Sequence, residues 1–213
     1  FQLRSANLHS DMDYHLLRAK VIVIFGGSSG IGQKIAEIAD KYGAQVFSFS
    51  RTLSQTDIAD KVAVKEALQQ VYNRTQHIDY VVNTAAILTK EPLLSMQQST
   101  INQMIRTNYD GMVNVAIESY PYLKESKGQL LLYTSSSYTR GRAFYSIYSS
   151  TKAAAVNFMQ ALAQEWEPAE IRINVINPER TKTPMRLMNF GNEPETTLLS
   201  SEEVANISLQ TLL

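Results

Sequence analysis

The chain has 213 residues, of which 44% are hydrophobic, a length and balance suited to one domain with a sizeable core. Lys plus Arg and Asp plus Glu each number 20, so the formal net charge is zero; this argues against nucleic acid or an anionic membrane as a partner while leaving room for a local basic pocket. The absence of cysteine excludes disulfides, thiol catalysis and Cys-ligated metals and agrees with a cytoplasmic setting, and no apolar run approaches the roughly 20 residues of a membrane span.

Residue 1 is Phe, and residues 1–20 are mixed and polar, without the apolar core of a signal peptide. They read as a linker, as the tail of a preceding domain, or as leading residues without fixed structure. His9, His15 and His77 show no metal or catalytic spacing, and no metal is expected. Residues 21–25 are a short β-branched apolar run, expected to be a buried strand. Gly26-Gly27-Ser28-Ser29-Gly30-Ile31-Gly32 follows at once, then helical spacing over 33–42, Gly43 as a stop, and a second strand over 44–49. Strand, glycine turn, helix and strand form the opening of a dinucleotide fold. Its glycines let the backbone approach a pyrophosphate at a helix N-terminus.

The second strand ends in Ser50 and Arg51. An acidic residue here would accept from a ribose 2′-hydroxyl and repel a 2′-phosphate. A guanidinium suits phosphate oxygens, so NADP is expected rather than NAD, unless Arg51 is an ordinary surface arginine. Only residues 52–56 then separate Arg51 from Asp57, too few for a crossover helix. Either this crossover is a bare loop, or the next strand is reduced to a few residues. A helix is expected over 62–74 and a strand over 78–82, ending in Asn83-Thr84-Ala85-Ala86. Residues 100–124 read as a long helix with Asn108, a mediocre helix former, inside it. A strand over 129–134 leads into Ser135-Ser136-Ser137. A helix over 146–167 follows, then a strand over 171–176, then a long loop or broken helix over 181–197. Ser200 to Glu203 reads as a capping box for a last helix.

On the helix over 146–167, Tyr148 and Lys152 lie four residues apart and share one face. A phenol beside an ammonium is a plausible proton donor, because a nearby cation favours the phenolate. On its own, such a spacing is more often two residues on a solvated face.

From residue 20 onward the chain resembles the short-chain dehydrogenase/reductase family. Gly26, Gly30 and Gly32 fall on its TGxxxGIG pattern, with Gly27 among the variable places and Ser28, Ser29 and Ile31 between the others. Asp57 matches the acidic residue that contacts adenine. Asn83 and Ala85 stand in the family's NNAG, with Ala86 in place of its glycine. Asn108, Ser135, Tyr148 and Lys152 match the catalytic tetrad. The resemblance implies an α/β fold: one Rossmann-type, doubly wound parallel sheet with helices on both faces, forming a single domain over 21–213. The family's final strand would be missing, and dimers or tetramers would form through the helices carrying Asn108 and Tyr148. It also implies roles. Tyr148 would protonate a carbonyl oxygen, Ser135 would hydrogen-bond it, Lys152 would hold the nicotinamide ribose and depress the tyrosine pKa, and Asn108 would anchor a proton-relay water.

After the last strand most relatives carry Pro-Gly and then a threonine. Here Pro178 and Thr181 keep their places, but Glu179 replaces the glycine. The run from Asn177 to Arg186, with the shortened crossover, resembles the reductase part of the bifunctional ribulose-5-phosphate reductase/CDP-ribitol pyrophosphorylase family of capsule-forming bacteria. That resemblance implies NADPH-dependent reduction of D-ribulose 5-phosphate to D-ribitol 5-phosphate and a preceding cytidylyltransferase domain in one polypeptide. Arg140, Arg142, Arg180, Lys182 and Arg186 are the candidate contacts for such an anionic sugar phosphate. Reduction of another ketose or ketone, or a dinucleotide-sensing scaffold without turnover, are the rival readings.

Overall fold

The computed structural model describes residues 14–213. Five parallel strands form one sheet in the order β2-β1-β3-β4-β5. They are β1 (Val21–Phe25), β2 (Gln45–Phe49), β3 (Tyr80–Asn83), β4 (Gln129–Tyr133) and β5 (Arg172–Ile176). The register runs Val23 opposite Phe47 on one side and Val81 on the other, and Val82 opposite Leu131. Every residue of β1 is fully buried, and its side chains alternate between two cores. Val21, Val23 and Phe25 join the core on one face, and Ile22 and Ile24 the core on the other. The continuous apolar run in the sequence is thus a strand covered on both faces, as a doubly wound sheet requires.

Helices α1 (Gly30–Lys41) and α7 (Ser201–Leu212) cover one face. Helices α2 (Lys61–Thr75), α4 (Gly111–Ser126) and α5 (Ser146–Trp166) cover the other. Helix α3 (Gln98–Ile105) runs into α4 through a π-helical segment, Arg106–Asp110. The crossover after β2 is a bare loop, and no strand lies between residue 50 and α2. Asp60 ends it by accepting from the backbone N–H groups of Val62 and Ala63. The expected capping box is present: Ser200 Oγ accepts from Glu203 N at 3.1 Å, and the Glu203 carboxylate accepts from Ser200 N at 2.7 Å.

The expected linker over 1–20 lies outside the described residues up to residue 13. Its remainder packs on the domain. Leu17 is fully buried, Tyr14 stacks on Tyr42 at 4.4 Å, and its hydroxyl donates to Asn206 Oδ1. The packed unit therefore reaches back at least to Tyr14, because an apolar Leu17 has a place in the core. Among the described residues no helix is long and apolar enough to cross a membrane.

Candidate active site

The carboxyl ends of β1, β3 and β4 open onto one cavity of about 340 Å³. The glycine turn forms its floor. Gly26 has φ +87° and its N–H donates to Phe49 O, so a residue with a side chain would be strained there. A Cβ on Gly32 would stand 2.4 Å from Thr84 Oγ1 and 2.5 Å from Gly26 O. Thr84 holds the turn from the neighbouring strand, its hydroxyl donating toward Phe25 O and Gly26 O at 3.1 and 3.2 Å. Helix α1 begins here with no side-chain cap from Ser29. Its first N–H groups and dipole are left for an anion. Bare backbone at Gly26 and Gly32 in front of an uncapped helix fits a dinucleotide pyrophosphate.

Ser28, Ser29, Gly30, Ile31, Arg51, Asp57, Ala85, Pro178 and Thr181 line the same cavity. Asn83 does not. It is buried at the end of β3, its Oδ1 accepting from Ala85 N at 3.1 Å, and it shapes the strand end that Ala85 presents. Thr84, beside it, was the more informative residue. Glu179 adopts φ +52°, the conformation that a glycine takes without strain. Asn177 secures it twice, accepting from Glu179 N and donating to its carboxylate. The turn thus keeps the glycine conformation without the glycine.

On the opposite wall stand Ser135, Tyr148 and Lys152. Tyr148 and Lys152 are one turn apart on α5, and the ammonium lies 5.6 Å from the phenol ring centroid. Lys152 is buried, and its Nζ donates to Tyr133 O at 3.0 Å. Thr134 Oγ1 donates to Lys152 O, so the end of β4 grips α5 at both the side chain and the backbone of that residue. Burial pulls the Lys152 ammonium down to about 8. Tyr148 keeps some surface in the cleft, yet burial pushes it up to about 12. A hydrogen bond with Ser135 opposes that rise, Tyr145 adds to it, and the charge of Arg186 opposes it. Desolvation dominates, and Ser135 and Arg186 are the groups that favour the phenolate.

Ser135 is distinguished from its neighbours by its bonds. Its oxygen accepts from both Ser137 N and Ser137 Oγ, at 3.3 and 3.2 Å, so its own O–H remains to donate. Asn108 lies in the π-helical segment and is buried, not solvated. Its amide clasps the Ile87 peptide, accepting from Ile87 N at 2.8 Å and donating to Ile87 O at 2.9 Å, and also reaches Thr151 Oγ1. It fixes the segment after β3 and does not itself line the cavity.

The five expected substrate cations separate. Arg186 lines the cavity, while Arg140, Arg142, Arg180 and Lys182 do not. Arg140 is exposed, and Arg142 N donates to Ser149 Oγ on α5. Lys182 pairs with Glu195, and Arg180 borders a small separate hollow with residues 196–199. Nearness in sequence did not bring Arg180, Lys182 and Arg186 together, because helix α6 (Pro184–Phe190) turns Arg186 inward and leaves the other two on the loop before it; Arg140 and Arg142 lie on a different loop, before α5. Tyr145, Met185 and Phe190 line the cavity without having been expected. Among the described residues no group of three or more His, Asp or Glu side chains is placed to hold a metal.

Residues 20–193 match the family model described as short chain dehydrogenase. The chain is 48% identical over 212 residues to the bifunctional ribulose 5-phosphate reductase/CDP-ribitol pyrophosphorylase Bcs1 of Haemophilus influenzae. That match covers 100% of this chain and 44% of the relative, so the chain spans less than half of that protein's length. It is 27% identical over 187 residues to L-xylulose reductase of Bos taurus, covering 82% of this chain and 76% of that protein. In three dimensions it resembles the oxidoreductase yciK from E. coli, with a TM-score of 0.87, 23% identity, and 96% and 93% of the two chains covered.

The lowered Lys152 pKa has a thermodynamic consequence. Between about 8 and the ordinary lysine value the folded state holds fewer protons than the unfolded chain, so this group adds stability as pH rises. Below about 8 the buried charge opposes folding. Lys152→Met should therefore melt above the parent at pH 7, with the gap narrowing as pH is raised through 8. A variant that melts below the parent at pH 7 would contradict this.

Proposed function

Because the chain belongs to the short chain dehydrogenase family, we propose that it reduces D-ribulose 5-phosphate to D-ribitol 5-phosphate with NADPH. The observation that carries the reaction is the juxtaposition of Ser135, Tyr148 and Lys152 with the glycine cradle across one cavity. The choice of substrate rests on the 48% identical relative, whose name includes ribulose 5-phosphate reductase. The L-xylulose reductase similarity supports the coarser reading, reduction of a ketose.

A nicotinamide dinucleotide bound over Gly26 to Gly32 would supply the hydride. The chain's own residues do the rest. Tyr148 holds its proton at neutral pH, since burial keeps its pKa near 12, and so it is ready as general acid toward a carbonyl oxygen. Ser135, whose O–H meets the Tyr148 oxygen, would turn that O–H to the same carbonyl oxygen and restrain it in line with Tyr148. As the proton leaves, negative charge grows on the phenol; Lys152 and Arg186 then become its nearest compensation. Lys152, suspended from Tyr133 O, also keeps N–H donors for the ribose of the cofactor. Asn108 holds the Ile87 segment and offers Oδ1 to a relay water. Arg51, exposed at the end of β2 and lining the cavity, suits a 2′-phosphate.

The product would feed CDP-ribitol synthesis for capsular polysaccharide, in the cytoplasm, by a cytidylyltransferase fused to this domain. The relative's bifunctional name and the 44% coverage support that extension. Homo-oligomers would form through the helices carrying Asn108 and Tyr148, where Ile105, Tyr109 and Ile117 stand exposed.

Two outcomes test the reading. With D-ribulose 5-phosphate, the parent should consume NADPH, read by absorbance, and Tyr148→Phe should bind NADPH as the parent does but turn over at least about a hundredfold more slowly. Retention of parental turnover would refute the general-acid role. Arg51→Asp should weaken NADPH by roughly ten- to a hundredfold while changing NADH little. An equal loss for both cofactors would contradict the 2′-phosphate contact.

A further inference from the structure

Resting on the reading of a phosphorylated ketose as substrate, we infer that its phosphate is received by Arg186 together with Lys90, and that Glu193 and Phe190 are the residues that position them. Lys90 is not part of the basic cluster that the sequence brings to notice. The fold brings it there from the segment after β3, ninety-six residues upstream of Arg186 in chain order.

Arg186 is the cavity-lining member of the five expected cations. One edge of its guanidinium is already occupied: Nε donates to Glu193 Oε2 at 2.6 Å and Nη2 to Glu193 Oε1 at 2.8 Å. One face rests on the Phe190 ring, 4.6 Å from its centroid. Side edge and face are thus both held, and the group cannot swing away. Among the described residues Nη1 and the second N–H of Nη2 make no hydrogen bond. That end-on edge is a fork of two donors, the shape that takes two phosphate oxygens.

Lys90, exposed and outside the cavity lining, approaches the same ring, its Nζ 4.8 Å from the Phe190 centroid. Its backbone N–H donates to Asn189 Oδ1, which ties the segment after β3 to α6. Arg186, Arg180 and Lys90 all lie close enough to Glu193 to hold its carboxyl below the usual carboxylate range, the hydrogen bonds from Arg186 contributing most. Arg186 and Lys90 together carry two positive charges against the single carboxylate of Glu193, so the site keeps a net positive charge for a phosphomonoester of about −1.5 to −2. A site that served only to pair Arg186 with Glu193 would have no use for this surplus.

The anion site is also linked to the reacting group. Phe190 meets Tyr145 edge to face at 5.7 Å, and Tyr145 meets Tyr148 at 6.4 Å. This row of rings sets how far the phosphate can lie from the phenol that protonates the carbonyl oxygen. Specificity for a ketose of one chain length with a terminal phosphate would follow from that spacing.

The test separates binding from turnover. Calorimetric titration of the NADPH-saturated protein with D-ribitol 5-phosphate, two reduced partners that cannot react, should show affinity falling roughly ten- to a hundredfold in Arg186→Ala and about tenfold in Lys90→Ala, with NADPH affinity retained in both. Arg186→Lys should not restore it, since the fork is lost. Glu193→Gln should raise KM for D-ribulose 5-phosphate far more than it lowers kcat, as expected of a positioning residue. Parental affinity for D-ribitol 5-phosphate in both Arg186→Ala and Lys90→Ala would overturn the inference and leave the ketose-phosphate reading standing. A parent that binds NADPH yet neither binds D-ribitol 5-phosphate nor consumes NADPH with D-ribulose 5-phosphate would overturn both.

Discussion

The site depends on one buried ammonium. Among the described residues no carboxylate pairs with Lys152 to offset its burial; its ammonium donates to the carbonyl of Tyr133, at the end of β4. A charge so placed opposes folding, as its lowered pKa records. The surroundings hold it nonetheless. Thr134 binds the backbone of the same residue, and the Tyr133 side chain is anchored on the other face of the sheet by Ser208 of α7. A strand end that carries Ser135 two residues further on is thereby locked to the helix that carries Tyr148. Stability is given up at Lys152, and the relative position of Tyr148, Ser135 and Lys152 is obtained in return.

The cofactor side of the cleft is built by a different device, close approach of backbones. Bare backbone at Gly26 and Gly32 lets the turn nest under Thr84, whose hydroxyl closes onto the carbonyls of Phe25 and Gly26. Asn108 does the same for the next stretch by clasping Ile87. A π-helical turn at Asn108 widens the helix where the amide must reach sideways rather than along its own helix. Strand ends, a glycine turn and one helical irregularity thus converge on a single cavity, while α6 supplies its basic outer wall.

Much of this is legible in the sequence because it is local. An unbroken apolar run reads as a doubly covered strand, Gly26 to Gly32 as a turn against a ligand, Ser200 with Glu203 as a cap, and the short run after Arg51 as a crossover without a helix. What is not legible depends on distant partners. Asn108 inside a helix raises a question, but its answer lies in Ile87, 21 residues away. Five basic residues expected near one pocket look alike until Glu193 and Glu195 claim Arg186 and Lys182 and α6 points only Arg186 inward. The weight of burial on Tyr148 cannot be judged from a four-residue spacing. Glu179 in place of a glycine was an intermediate case: Asn177, two residues before it, carries the compensation in plain view.

The central claim is that this cavity delivers hydride to the carbonyl carbon of a ketose phosphate while Tyr148 protonates its oxygen. Isotope tracing addresses it directly. With NADPH carrying deuterium at the transferable position of C4, D-ribulose 5-phosphate should yield ribitol 5-phosphate with deuterium at C2, detected by NMR or mass spectrometry. NADPH oxidation without deuterium in the sugar phosphate would contradict the account.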